Sequence, residues 1–431
     1  MALALPLLAE TNPSPPSPGF LTPPYLQNMS RTTMVVMAET SADTPLVLRY
    51  GPGGVHYGDR ARNAEVAMES TPSGGGAFFV RAVLEKLKPG TEYSYTIASQ
   101  DGVPLTPPAT FRTAPAGPVD FIFGVFSDVQ TDNQGAWEAA PWEPAISMMK
   151  DLAARKPAFG LGLGDFASNG DSYASVRDSH LNRTVRHLGT QVPFFISWGN
   201  HDGKQPGDPL RLSADMPSRW RTDNLSPHTP GFGSFAFEYG GVFFVCLEWY
   251  TAVGTDSGAA RPDNDVTNGW LDAMLSSPEA RNARFRVVAV HAPPFCERWV
   301  DGCSGLREHL VPRLEKYGVA LCLSGHMHGF ERGELNGVTY IIAGGGSYLD
   351  HKEKLVKDWP HMTLGGNVDV PGTYRRQSAP GVLGPPEPIT GGLFSHYLLV
   401  HVAGDEMKVE TLGFNADGSP IGVLDSITLR N

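Results

Sequence analysis

The sequence predicts two domains, a small all-β sandwich of fibronectin or immunoglobulin type followed by a larger α/β domain, and three observations predict it. From Phe20 to about Thr113 the apolar residues come in short strand-length runs broken by turn pairs, with no helical period between them. Beyond Pro115 to Pro118 (PAGP) apolar runs alternate with stretches of helical period, the pattern of a layered α/β core. The 431 residues exceed one ordinary domain and leave room for two. The division expected is a leader and tether over 1–19, the sandwich over 20–115 and the larger domain over 116–431.

The opening MALALPLLA is short and apolar and lacks a positive start, so it reads either as the remnant of a secretory signal or as an irregular terminus. The proline-rich stretch behind it reads as a stiff tether. In the sandwich, Thr33 to Glu39, Leu46 to Tyr50, Phe78 to Leu84 and Glu92 to Ala98 are expected strands, the last with Tyr93, Tyr95 and Ile97 on one face. In the second domain the expected strands are Val119 to Phe126, Phe159 to Gly164, Pro193 to Trp198, Val242 to Leu247, Phe285 to Val290 and Val319 to Leu323. Helices are expected over Ala145 to Arg155, in a polar stretch around Tyr173 to Leu188, and over Trp270 to Leu275 and Leu306 to Tyr317. Leu349 to Gly392, rich in Pro and Gly, reads as a surface excursion, and His396 to Val402 with Met407 to Leu412 as a closing hairpin.

A net charge of -11, with no Lys/Arg cluster, argues against a nucleic-acid backbone as partner. No apolar run is long enough to span a membrane. Cys296 and Cys303 lie in one polar loop, CERWVDGC, where a disulfide would close a small ring and favour an oxidising, secreted or periplasmic setting; two unpaired surface thiols are the alternative. Cys246 and Cys322 sit in apolar strand-like runs and read as buried thiols.

The chemistry gathers at strand ends, where an α/β sheet places its ligand crevice. Asp128 follows the first strand (FSDVQ), Asp165 the second (GLGDF), and Asn200 and His201 the third (SWGNHD). His291 ends RVVAVH, and His326 and His328 follow in LSGHMH. Any one of these alone would pass as a cap or a satisfied polar residue. Five strands delivering such residues in register have no structural reason in a packed fold. Carboxylate, amide oxygen and imidazole suit hard-to-borderline divalent metals, and a carboxylate such as Asp165 can bridge two of them. Two ions so held can generate hydroxide at neutral pH and neutralise phosphoryl charge.

These blocks, Asp128-Val129-Gln130, Gly164-Asp165, Gly199-Asn200-His201-Asp202, His291 and Gly325-His326-Met327-His328, resemble those of the calcineurin-like metallophosphoesterase superfamily. The segment PYLQNMSRTTMVVMAET, the run LKPGTEYSYTI and FRTAP resemble the sandwich that precedes the catalytic domain of purple acid phosphatases, and GHMHGFERGELNGVTYIIAGGGS supports the same subgroup. The resemblance implies a four-layer catalytic domain, a β-sandwich flanked by helices, that hydrolyses phosphomonoesters or phosphodiesters. It implies that Asp128 and His328 bind one metal, that Asn200, His291 and His326 bind a second, and that Asp165 bridges them. It makes His201 the acid near the leaving group and Asp202 the residue that orients its loop.

Two positions depart from the pattern. Gln130 stands where a histidine is usual; its amide oxygen can ligate directly or through water, more weakly than imidazole. Ser168 replaces the tyrosine that colours purple acid phosphatases, so a Mn, Fe(II) or Zn pair is expected rather than a purple ferric site.

Arg298 and Trp299, in the loop after His291, and Trp249 with Tyr250 are candidate cleft walls, with ordinary loop packing as the alternative. Arg177, His180 and Arg186 read as a solvated helix face, and Glu331-Arg332 as part of an internal ion pair. With no extra basic residue in the motif blocks, the expectation leans to diesters or a broad range of small phosphate esters. Two other readings are a non-catalytic protein built on a degenerate phosphoesterase, and a sandwich that targets the enzyme to glycan rather than bracing it.

Overall fold

The computed structural model describes residues 19–53, 63–130, 143–168, 177, 181–202, 234–248, 266–296, 302–346, 349, 372–374, 389–392, 394–415 and 417–431. The leader, His180, Trp249, Tyr250, Arg298, Trp299 and most of the stretch from Asp350 to Gly392 lie outside these residues.

The first domain is a sandwich of two antiparallel sheets. One sheet orders Phe20–Gln27, Met34–Thr40, Ala77–Leu84 and Glu69–Gly74; the other orders Ala64–Ala67, Leu46–Pro52, Glu92–Ser99 and Ala109–Arg112. Alternation builds its core: Tyr93, Tyr95 and Ile97 all turn inward, and the Tyr93 ring stacks on Phe111 at 5.5 Å. Phe20–Gln27 escaped the sequence reading because two prolines interrupt its text, FLTPPYLQ.

The second domain packs two sheets face to face. The first orders Phe194–Ile196, Gly160–Gly162, Phe121–Phe126, Ser395–Ala403, Glu406–Phe414 and Pro420–Arg430. Its first three strands are parallel, and the closing hairpin is extended by a third strand. The second sheet orders Phe235–Tyr239, Val242–Leu247, Phe285–Val290, Leu321–Ser324, Val338–Ala343, Phe330–Leu335, Ile389–Gly392 and Gly372–Tyr374. The last two strands come from the stretch expected to be a surface excursion; they pair onto the sheet instead.

Aromatic rings fill the space between the sheets, with Phe159 meeting Phe123, Phe195, Phe237 and Phe244 at 5.1 to 5.5 Å. Helix Glu143–Ala154 and the short turns Asn182–Thr184 and Val185–Gly189 cover the outer face of the first sheet. Trp270–Leu275, Pro278–Asn282, Ser304–His309 and Val311–Lys316 cover the second. The result is four layers, helix, sheet, sheet and helix. One helix was expected from Leu306 to Tyr317, but Pro312 has no N–H to continue the first, so the chain restarts at Val311. No helix among the described residues is long and apolar enough to cross a membrane.

The two domains share core. Tyr25, Val35, Met37 and Phe79 of the sandwich pack in one cluster with Phe126, Leu188 and Phe194. The Tyr95 hydroxyl donates to the Thr190 carbonyl at 2.7 Å, and Arg31 pairs with Glu238 at 2.5 Å.

Candidate metal centre

The first sheet delivers Asp128, Asp165 and Asn200 just beyond strands Phe121–Phe126, Gly160–Gly162 and Phe194–Ile196. The second delivers His291, His326 and His328 beyond Phe285–Val290 and Leu321–Ser324. All six meet at one mouth of the sheet sandwich. Three of them, Asp128 (φ 56), Asp165 (φ 53) and His326 (φ 70), have left-handed backbone. For a residue with a side chain that conformation is costly and persists only where its surroundings over-determine it.

The close backbone approach needs glycine. A Cβ at Gly164, itself at φ +101, would fall 2.6 Å from Gly199 N and His291 Nδ1. One at Gly199 would fall 2.2 Å from Asp165 Oδ1.

Asp202 holds these turns together. Its buried carboxylate accepts from the backbone N–H of Asp165 (2.7 Å), Phe166 (2.8 Å), Ala167 (3.1 Å) and Gly199 (2.9 Å). Burial and the charge of Asp165 push Asp202 up to about 6, while the backbone donors pull the other way.

Two donor groups form. Asp165, His291 and His326 offer ligand atoms within 4.8 Å of one another, and so do Asp128, Asp165 and His328. Asp165 belongs to both. Asn200 joins the first group, its Oδ1 lying 3.1 Å from His291 Nε2. His291 donates from Nδ1 to the Leu163 carbonyl at 2.7 Å, leaving Nε2 3.3 Å from Asp165 Oδ2. A metal-binding histidine is commonly fixed in this way, by its other nitrogen on a carbonyl.

Gln130 joins the second group. Its Nε2 lies 3.2 Å from Asp165 Oδ2 and 3.4 Å from His328 Nε2, so a donor sits among the acceptors where a cation would. Its buried Oε1 has no hydrogen-bond partner among the described residues. Half a turn of the amide exchanges the two and presents an oxygen ligand. The donor set and this orphaned acceptor fit a pair of divalent ions.

The electrostatics follow from burial. Desolvation drives Asp128 well above the usual carboxylate range. At Asp165 burial pushes the same way, but His291 and His201 overcome it and hold the carboxyl low. Burial opposes a charge on His291, yet Asp165 and Asp128 raise it to about 9. Burial and the charge of His291 keep His326 well below its ordinary value.

His201 stands at the edge of the cluster, half-buried like Asn200 and His326. Its N–H donates to Asp165 Oδ1 at 2.8 Å and its Nδ1 to the Ser168 carbonyl at 3.0 Å. A crevice of about 800 Å³, lined by Arg112, Phe121, Arg155, Tyr239 and His401, lies between the domains at the other ends of the strands. It touches none of the candidate ligands.

The expected loop disulfide is not formed. Cys296 and Cys303 are both buried thiols. Cys296 packs with Met327 and Ile342, its sulfur 3.9 Å from Glu331 Oε1, while Cys303 joins the helix-covered cluster of the second sheet. Their side chains enter different apolar clusters, which spacing in the sequence does not reveal. Arg332 does form an ion pair, but with Asp425 (2.7 Å). Of the three residues read as a solvated face, Arg186 is exposed, whereas Arg183 beside it, missed by the sequence reading, is buried.

Residues 121–330 match the family model described as calcineurin-like phosphoesterase, and residues 24–113 match the one described as purple acid phosphatase, N-terminal domain. Residues 121–330 thus form a calcineurin-like metallophosphoesterase domain, preceded over residues 24–113 by a purple acid phosphatase-like N-terminal domain. It is 28% identical to purple acid phosphatase 22 of Arabidopsis thaliana over 53% of its own length and 46% of that protein's. It therefore spans less than half of that relative. Against serine/threonine-protein phosphatase CPPED1 of Pongo abelii it is 23% identical, over 55% of this chain and 77% of the other. The solved structure of PhoD covers 96% of this chain and 90% of its own, with a TM-score of 0.62 at 14% identity, a likeness of fold.

Proposed function

We propose that the chain hydrolyses phosphate esters at a pair of divalent ions, Mn, Fe or Zn, bridged by Asp165. The observation that carries this reading is that Asp165 belongs to both donor groups. Asp128, Gln130 and His328 would hold one ion, and Asn200, His291 and His326 the other. When bound, such a pair supplies hydroxide at neutral pH and neutralises charge on the phosphoryl oxygens.

The chain's own residues do the rest. The Leu163 carbonyl fixes the His291 ring so that Nε2 faces the cluster. His201, oriented through Nδ1 by the Ser168 carbonyl, keeps Nε2 for the leaving-group oxygen, to which its imidazolium form gives a hydrogen bond or a proton. Asp202 sets the turns that carry Asp165 and His201. The Gln130 amide oxygen is a weaker donor than imidazole, so the ion on its side exchanges more readily. Ser168 brings no phenolate to the site, so the protein is expected to be colourless.

Both curated relatives are named as phosphatases, which supports action on monoesters, and the half-buried edge at Asn200 and His201 supports access for diesters. With Cys296 and Cys303 as thiols, export rests on the leader-like opening alone. The test is hydrolysis of p-nitrophenyl phosphate and bis-p-nitrophenyl phosphate by chelator-stripped protein. Added Mn or Zn should restore turnover in the natural chain and not in Asp165→Asn. Equal restoration in both would remove the bridging role.

A further inference from the structure

The turn Ser127 to Gln130 carries two of the candidate ligands and passes through the left-handed Asp128. Its next peptide, joining Val129 to Gln130, is tied on both sides. The N–H of Gln130 donates to the Asp165 carbonyl at 3.1 Å, and the Val129 carbonyl accepts from Arg183 Nη2. One residue earlier, Asp128 N donates to the Gly164 carbonyl at 3.0 Å. Two of the three ties are backbone to backbone; the third hangs on one side chain.

Arg183 is an uneconomical residue for a purely structural place. It is 6% exposed, in the turn Asn182–Thr184, and its neighbours Leu181, Val185 and Leu188 are apolar core. Burial lowers its guanidinium to about 9, so it still carries charge at neutral pH. An apolar side chain of similar volume would avoid the cost of taking a charge out of water. What the cation provides is a charge-assisted bond to the carbonyl lying between Asp128 and Gln130.

We propose that Arg183 is a positioning residue for the ion held by Asp128, Gln130 and His328: it fixes the Val129–Gln130 peptide and so the direction from which both side chains enter the site. This rests on the two-ion reading above. Asn200, His291 and His326 lie on other turns, so the effect belongs to one ion of the pair.

The experiment titrates Mn into chelator-stripped natural chain, Arg183→Met and Arg183→Lys, following bound ion by calorimetry and turnover of p-nitrophenyl phosphate at each Mn concentration. The natural chain should take two ions. Arg183→Met should bind one of them about 10- to 100-fold more weakly and the other unchanged, with turnover recovered by excess Mn. Arg183→Lys, which keeps the charge but loses the fork, should fall between. A folded Arg183→Met that binds both ions as the natural chain does would overturn the proposal and leave Arg183 a packing residue. If Arg183→Met does not fold, the same comparison is made with Arg183→Lys, and natural affinity for both ions there overturns it. Fewer than two ions in the natural chain would instead overturn the reading beneath it.

Discussion

At the scale of single residues the site is built against local preference. Asp128, Asp165 and His326 adopt left-handed backbone, and Gly164 and Gly199 leave no room for a Cβ. Asp202 is the residue that repays this strain, because one buried carboxylate accepts four backbone N–H groups from two turns. An amide in its place keeps the shape but turns an N–H donor toward part of that set. Asp202→Asn should therefore lose about 3 kcal/mol of stability in urea, at unchanged m-value. A loss below about 0.5 kcal/mol, the range of an ordinary surface change, would contradict the organising role.

At the scale of elements, the strands bring the candidate ligands together in chain order, which is why so much of the site is legible in the text. Each block follows an apolar run, and parallel strands place their following residues on one edge. What the text hides is packing. Arg183 sits in a stretch that reads as a polar helix, and only the fold shows it buried. Cys296 and Cys303 are close in sequence but enter different clusters. The strand Pro420–Arg430 lies at a sheet edge, where half-exposed residues carry little apolar period.

Strand Ser395–Ala403 also carries a titratable group away from the ligands. His396 is buried against Phe330 and Phe394, and burial lowers it from 6.5 to about 4. The unfolded chain takes up that proton below about pH 6.5 and the folded chain only below about 4. Between those limits the unfolded state binds more protons, so this residue makes stability fall as pH falls, by up to about 3 kcal/mol. Urea melts across that window should show a shallower pH slope for His396→Phe than for the natural chain. An identical slope would mean that His396 does not titrate there.

At the scale of the whole molecule, the sandwich and the catalytic domain share one apolar cluster. A shared core couples the two domains in unfolding, which favours the brace over a separable targeting module. Calorimetry should give a single transition, moved down by Tyr95→Phe, which removes the bond to the Thr190 carbonyl and costs about 1 kcal/mol. Two separate transitions, with only one of them moved, would restore the independent module.

Electron paramagnetic resonance of the chelator-stripped protein, loaded with two Mn per chain, reads whether Asp165 joins two ions in one site. The natural chain should give an exchange-coupled multiline spectrum that Asp165→Asn converts to that of isolated ions. A natural chain showing only isolated Mn at full loading would contradict the bridging role.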